Sequence, residues 1–255
     1  MGGVLLSMVA LLMIRGGVGG EEAAALISNA PSLLIVGAAA AVIIWASLQF
    51  PASEPLRKQW LFLGIGTALW SVGGGVWNVY EVVLKQEVPF PGIADVVFLA
   101  AIPMLTAGCL LAVGSFNRVL RMMLPVAISL LAGVAAAAFV VLVPLRASLA
   151  DASYPLFERL VGAAYPVADL VLVLPFALAL AFTAARLGGG KIARPWWLVV
   201  AGLLAIVYAD TMFAVLIAEG TYTAGMYIDA GWWVGFSLIA AGASLAVDVQ
   251  RPRGA

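Results

Sequence analysis

Asp169 and Asp210 lie inside long apolar stretches of a chain that contains no histidine. A carboxyl group near the centre of a membrane helix costs about 2.5–3.5 kcal/mol on insertion scales, so a residue kept there is a functional candidate by default. Asp169 stands roughly 14 Å past the outer end of its apolar run, and Asp210 roughly 12 Å from the outer end of its own, at about 1.5 Å per helical residue. The two are therefore expected at one depth, facing one interior cavity within direct or single-water reach. No lysine or arginine accompanies them within the apolar runs. The sequence leaves open whether the carboxyls are protonated, share a proton, or await a cation or an amine-bearing ligand. It also leaves open a structural role, each bonded to a hydroxyl or carbonyl of a neighbouring helix.

Other groups extend this candidate site. In the run 60–83, Trp70 pairs with Trp77 and Asn78 with Glu81 at spacings that share a helix face. Gly73-Gly74-Gly75 removes side chains in mid-span, admitting a ligand or, equally, a neighbouring helix. Asp95 and Asp229 begin apolar runs at the outer surface, where exposed amides and the helix dipole favour an acid whatever its further role. The expected ligand-binding set is Asp169, Asp210, Glu81, Asn78, Trp77, Asp95, Phe98, Asp229 and Tyr208, with Trp77 and Phe98 as walls. Tyr222, Tyr227, Trp232 and Trp233 at the outer end, and Trp196 and Trp197 at the inner end, read as interfacial belt residues.

Much chemistry is excluded. Without histidine there is no bis-His haem, His-based zinc site or His–Asp pair. Lys58, Lys85 and Lys191 all lie in loops, which removes a Schiff-base lysine from the membrane interior. The single Cys109 sits in an apolar run, so no disulfide framework or metal cluster is expected. No P-loop, dinucleotide fingerprint or nucleophile elbow occurs. A net charge of zero argues against a nucleic-acid partner. No catalytic residue, cofactor or metal is expected; the expected partners are membrane lipid, a small ligand or ion, and a cytoplasmic signalling partner or a second copy.

The elements that must position these groups follow from hydropathy. With 64% hydrophobic and 10% charged residues and a mean hydropathy of +1.11, the chain reads as an all-α, polytopic membrane bundle. Seven full spans are expected at 31–50, 60–83, 94–114, 122–143, 160–183, 196–218 and 228–247. The run Val4–Ile14 is half of what a bilayer core needs; it reads as a signal-like segment, a half-helix that leans on protein, or the remnant of a span that starts upstream. The organisation expected is a short hydrophobic segment and external linker (1–30), a transmembrane domain (31–247) and a cytoplasmic tail (248–255). Within 15–30 a flexible turn is expected to lead into a short external helix, and 144–158 to hold a short interfacial helix. Nine of the 13 lysines and arginines fall in the loops 51–59, 115–121 and 184–195 and the tail, which places that face and the C-terminus in the cytoplasm. The hairpins 60–114 and 196–247 read as a degenerate parallel repeat. Gly74-x-x-Trp77 answers to Asp210-x-x-Phe213, and Asp95-x-x-Phe98 to Asp229-x-x-Trp232.

The run Pro89 to Leu99 with Tyr80-Glu81 upstream, the segment Ala164 to Leu170, Tyr208-Ala209-Asp210 and the closing Asp229 to Gly235 together define an ordered set of motifs. Over about residues 31–247 this set resembles the multi-span sensory regions that precede diguanylate cyclase (GGDEF) and phosphodiesterase (EAL) modules in bacteria, notably actinobacteria. The resemblance implies an integral membrane sensory module of cyclic di-GMP signalling, with an outward-opening polar pocket. The chain departs from the pattern at Gly74, where an aspartate is expected. It also departs in carrying no output domain after its last span. A stand-alone relative, a fragment and a subunit signalling through a partner all fit. A small ion-coupled transporter using Asp169 and Asp210 is the alternative, with Pro103, Pro175 and Gly73–Gly75 as candidate helix breaks.

Overall fold

A computed structural model of the protein describes residues 2–18, 20–120, 122–223 and 226–250. Its regular elements are all helical: α1 (Gly2–Arg15), α2 (Gly20–Leu48), α3 (Pro55–Asn78), α4 (Ile93–Leu120), α5 (Met123–Leu142), α6 (Arg146–Ala150), α7 (Leu156–Ala168), α8 (Leu174–Arg186), α9 (Arg194–Ala218) and α10 (Asp229–Gln250). A π-turn, Val79–Val83, extends α3, and a second, Asp169–Val173, joins α7 to α8. Among the described residues, six helices are long and apolar enough to cross a membrane: Pro55–Val83, Ile93–Phe116, Met123–Leu142, Leu156–Arg186, Arg194–Ala218 and Asp229–Gln250. They correspond to six of the seven expected spans. The seventh, 31–50, falls in α2, where the described apolar stretch is the shorter Leu33–Leu48.

Local chemistry sets the ends. Pro55 and Pro195 open α3 and α9 in the first turn, where a missing N–H costs nothing. Gly220, at φ 66, stops α9. Its N–H bonds to Ile217 O and that of Thr221 to Leu216 O, the paired closure that a left-handed residue allows. Pro175 has no N–H for the carbonyl four residues back, and the widened turn before it is closed by Leu174 N–H to Asp169 O. The other expected breaks do not occur: Pro103 lies inside continuous α4, and Gly73–Gly75 inside continuous α3. The region 15–30 also differs from expectation. α2 begins at Gly20 and passes residue 30 without interruption, because Glu21 to Leu26 are strong helix formers that join the span rather than form a separate helix. The short helix expected in 144–158 is α6, ending at Ala150. α10 takes in the start of the expected tail, and residues 251–255 fall outside the described residues.

Six helices close a ring, each against the next in the order α2, α3, α4, α8, α9, α10 and back to α2. α5 packs outside this ring on α8, and α1 leans on α2 and α10. α5 leaves Met123, Leu124, Leu131, Phe139 and Leu142 exposed, as a lipid-facing helix does. Aromatic rings fill the interior. Trp60 and Trp196 stack across it at 5.0 Å and 8°, and Trp70 meets Phe98, Trp232 and Phe236 at 5.1, 5.7 and 5.2 Å. Trp196, 2% exposed, and Trp233, 0%, are thus core residues rather than belt residues; Trp197 and Tyr227, at 41% and 55%, have the exposure of a belt.

The two hairpins pack alike. One constant offset carries Gln59, Trp60, Leu63 and Gly66 of α3 onto Pro195, Trp196, Val199 and Gly202 of α9. A second carries Asp95, Phe98, Leu105 and Gly108 of α4 onto Asp229, Trp232, Ile239 and Gly242 of α10. Equivalent residues make equivalent close approaches. A Cβ on Gly66 would stand 2.8 Å from Leu105, and one on Gly202 would stand 2.8 Å from Ile239. A Cβ on Gly108 would meet Leu63 and the Gln59 carbonyl, and one on Gly242 would meet Val199 and the Pro195 carbonyl. The repeat read from the sequence is thus present in the packing.

Candidate functional site

Asp169 opens the π-turn between α7 and α8, and Asp210 lies on the facing side of α9. Their carboxyls lie within hydrogen-bonding reach of one another. Carboxylate oxygens only accept, so a bond between two carboxyls contains one proton. Asp169 is 1% exposed, and its Oδ2 accepts no hydrogen bond from an N–H or O–H among the described residues. Asp210 is half-buried and accepts a 2.7 Å bond from Trp232 Nε1 on α10. The repeat explains this partner: Trp232 and Asp210 occupy the places that Phe98 and Gly74 hold in the first hairpin. Only the second hairpin carries the acid, and only there is the ring an indole with a donor.

Asp95 connects to the pair through Tyr165. The tyrosine hydroxyl donates to Asp95 Oδ1 at 2.6 Å and lies within electrostatic reach of both Asp169 and Asp210. Asp95 Oδ2 accepts from Gly92 N at 2.7 Å, the bond a third-position acid makes to the start of its helix. Asp95 is therefore a capping acid and a tie between α4 and α7 at once. Asp229, 1% exposed, starts α10 and accepts from the Tyr222 hydroxyl at 3.1 Å. Tyr222 sits in the loop before α10, where burial and the Asp229 carboxylate push its pKa upward. Glu81 lies within reach of Tyr222 and accepts a 2.7 Å bond from Trp77 Nε1. The carboxylates form no group suited to a metal ion among the described residues.

The structure brings Asp169, Asp210 and Asp95 together, and places Glu81, Trp77, Asp229 and Tyr222 in a second cluster. The Phe98 ring packs on α3, resting where a Cβ on Gly73 would come within 2.7 Å. Asn78 Nδ2 donates back to Gly74 O of its own helix at 2.7 Å. Tyr208 does not join the carboxyl pair: it is 49% exposed and bonded to Tyr227. Two residues from Asp210, it points to roughly the opposite side of α9 at about 100° per residue. Trp232, 9% exposed, and Tyr165 are the neighbours of the pair that sequence reasoning missed. In the sequence Trp232 reads as a belt residue, and the repeat matches it only with Phe98. The space around the pair is occupied by rings, Phe213 packing on Trp232 and Tyr222 at 5.7 and 4.8 Å. Two clefts, of about 280 and 370 Å³, lie elsewhere, at the N-terminal end of α3 and between α4 and α5.

The fold and site define a helical bundle with at least six membrane-competent helices and an interior acid pair. Comparison with protein-family models, curated proteins and solved structures gave no match.

Proposed function

We propose that this chain is a multi-pass cell-membrane sensory module that responds to a proton or small cation at the Asp169–Asp210 pair and signals to a cytoplasmic output domain or partner. What supports this reading is the closely spaced carboxyl pair, with an Asp169 Oδ2 that accepts no N–H or O–H bond among the described residues. One proton between two acids is a state that a cation competes with directly: loss of the proton alters the charge at one point by a full unit, and its exchange for a cation replaces a hydrogen bond by a coordinated ion. That point touches α9 through Asp210, the α7–α8 junction through Asp169, α10 through Trp232 and, by way of Tyr165, α4. A charge change there biases the packing of four helices, which is what a two-state signalling element needs. The motif order that resembles regions before GGDEF and EAL modules supports the sensory role. The lysine and arginine bias supports a cytoplasmic C-terminus.

An ion-coupled transporter is the second reading, favoured by the parallel repeat and the π-turn break at Asp169. Protein in liposomes separates the two. A sensor changes its tryptophan emission with proton or sodium concentration, through Trp232 beside Asp210, loses the change in Asp210→Asn, and carries no ion flux. Flux that depends on Asp210 would replace the sensor by the transporter. No emission change and no flux would overturn both.

A further inference from the structure

The bundle differs in kind on the two sides of the carboxyl pair. On the inner side, where α9 begins and α10 ends, the interior is apolar and closely packed. Leu180 of α8, Ile206 of α9, and Phe236 and Ile239 of α10 are each 2% exposed or less, and beyond them Trp60 and Trp196 stack. From Asp210 to Trp196 this layer is roughly 21 Å deep at about 1.5 Å per helical residue. Its threonines, Thr67, Thr106 and Thr183, donate to carbonyls of their own helices. Cys109 is its one buried titratable side chain among the described residues.

On the outer side the packing loosens. Residues 75–78 of α3, 161–165 of α7 and 210–216 of α9 are half-buried throughout, whereas α9 inward of Asp210 buries Val199, Leu203 and Ile206 a turn apart. Titratable groups approach the pair from this side. Asp95 comes from α4 and Tyr165 from α7, the tyrosine donating to Asp95 at 2.6 Å within electrostatic reach of both acids. Asp229 stands at the start of α10, bonded to Tyr222, and Glu81 lies within reach of Tyr222. Glu158 and Arg159 begin α7, where Arg159 Nη1 donates to Leu149 O of α6. The other packed elements offer the pair nothing titratable. α5 has no such residue, Arg186, Arg194 and Asp248 lie at the inner ends of α8, α9 and α10, and Tyr208 faces away.

The surroundings also suit a proton better than a metal ion. The described residues hold no group of three acids or thiols placed to ligate one, and rings pack beside the pair at 4.8 to 5.7 Å. A proton needs neither open space nor further ligands, because hydroxyl and carboxyl groups both donate and accept it. We propose that the pair exchanges protons with the outer aqueous phase alone, so that external acidity is the stimulus. This rests on the reading of Asp169–Asp210 as the sensing point. The shared proton leaves for external water as the pH there rises and returns from it as the pH falls, and none crosses to the opposite face.

The test uses the full chain, a single copy in each liposome, with the liposomes sorted by whether a C-terminal tag is accessible from outside. External pH is stepped while buffer holds the lumen, and tryptophan emission is followed before and after nigericin with potassium equalises the two sides. Liposomes with the tail inside should respond at once. Those with the tail outside should lose the immediate response and give it only after nigericin. Sodium at constant pH should change neither set, and Asp210→Asn should abolish the response in both. An immediate response of the tail-outside set, or a response to sodium, would overturn the proposal and leave the pair as the sensing point. Silence of both sets even after nigericin, or a pH response that survives Asp210→Asn, would overturn that reading and the proposal with it.

Discussion

Replacing Trp232 by phenylalanine isolates the bond that ties α10 to Asp210. The ring stays between Trp70 and Phe213, each 5.7 Å away, while the Nε1–H 2.7 Å from Asp210 Oδ1 is deleted. Interhelical hydrogen bonds inside membranes are worth about 0.6 kcal/mol on average and about 1.7 at most. Loss of indole stacking adds about 0.5–1 kcal/mol. Trp232→Phe is therefore expected to lower the unfolding free energy by about 1–2.5 kcal/mol. In an Asp210→Leu background only the stacking part should remain, leaving a coupling energy of about 0.6–1.7 kcal/mol. Phe98, the counterpart in the first hairpin, shows that a phenylalanine is accommodated where no carboxyl faces it. Reversible unfolding of the four proteins in mixed detergent–lipid micelles measures the cycle. A coupling energy within about 0.3 kcal/mol of zero would refute the assignment of the bond to the site.

Three further outcomes are expected. Gly133→Ala should destabilise by about 1–3 kcal/mol, because its Cβ would collide with the Leu170 carbonyl and stand 2.6 Å from Pro175; Gly114→Ala, with open space around it, should not, and thermal unfolding of both checks this. Tyr165→Phe removes the 2.6 Å bond to Asp95 and should cost about 1 kcal/mol while shifting the proton or cation response in the emission assay. With the buried Cys109 replaced by alanine, cysteines at Ser53 and Lys191 should resist an impermeant thiol reagent added outside and one at Glu87 should react; the reverse pattern would invert the topology.

The apolar runs determined the helices, because in lipid a backbone must bond within its own segment. Six spans follow from length and hydropathy alone. The expected joint level of Asp169 and Asp210 follows from rise per residue, and the two carboxyls lie within hydrogen-bonding reach. The π-turns were not visible: Pro103 and Pro175 look alike in sequence, yet α4 runs straight through one and the chain widens before the other. Gly133 bears on that difference, since it brings α5 against the Leu170 carbonyl within the turn, a tertiary contact with no local signature. Trp232 and Trp196 read as belt residues because tryptophan near a span end serves both surface and core, and only neighbours decide. Tyr208 was placed by sequence nearness to Asp210, where helical periodicity points it away.

The central claim is that Asp169 and Asp210 hold one proton between them. Infrared spectroscopy of the protein in lipid measures this through the C=O stretch of a protonated carboxyl group. The account predicts one such band, shifted both in Asp169→Asn and in Asp210→Asn, since either change replaces the carboxyl that shares the proton. A band that shifts in only one variant, or in neither, would contradict a shared proton and leave two independent aspartates.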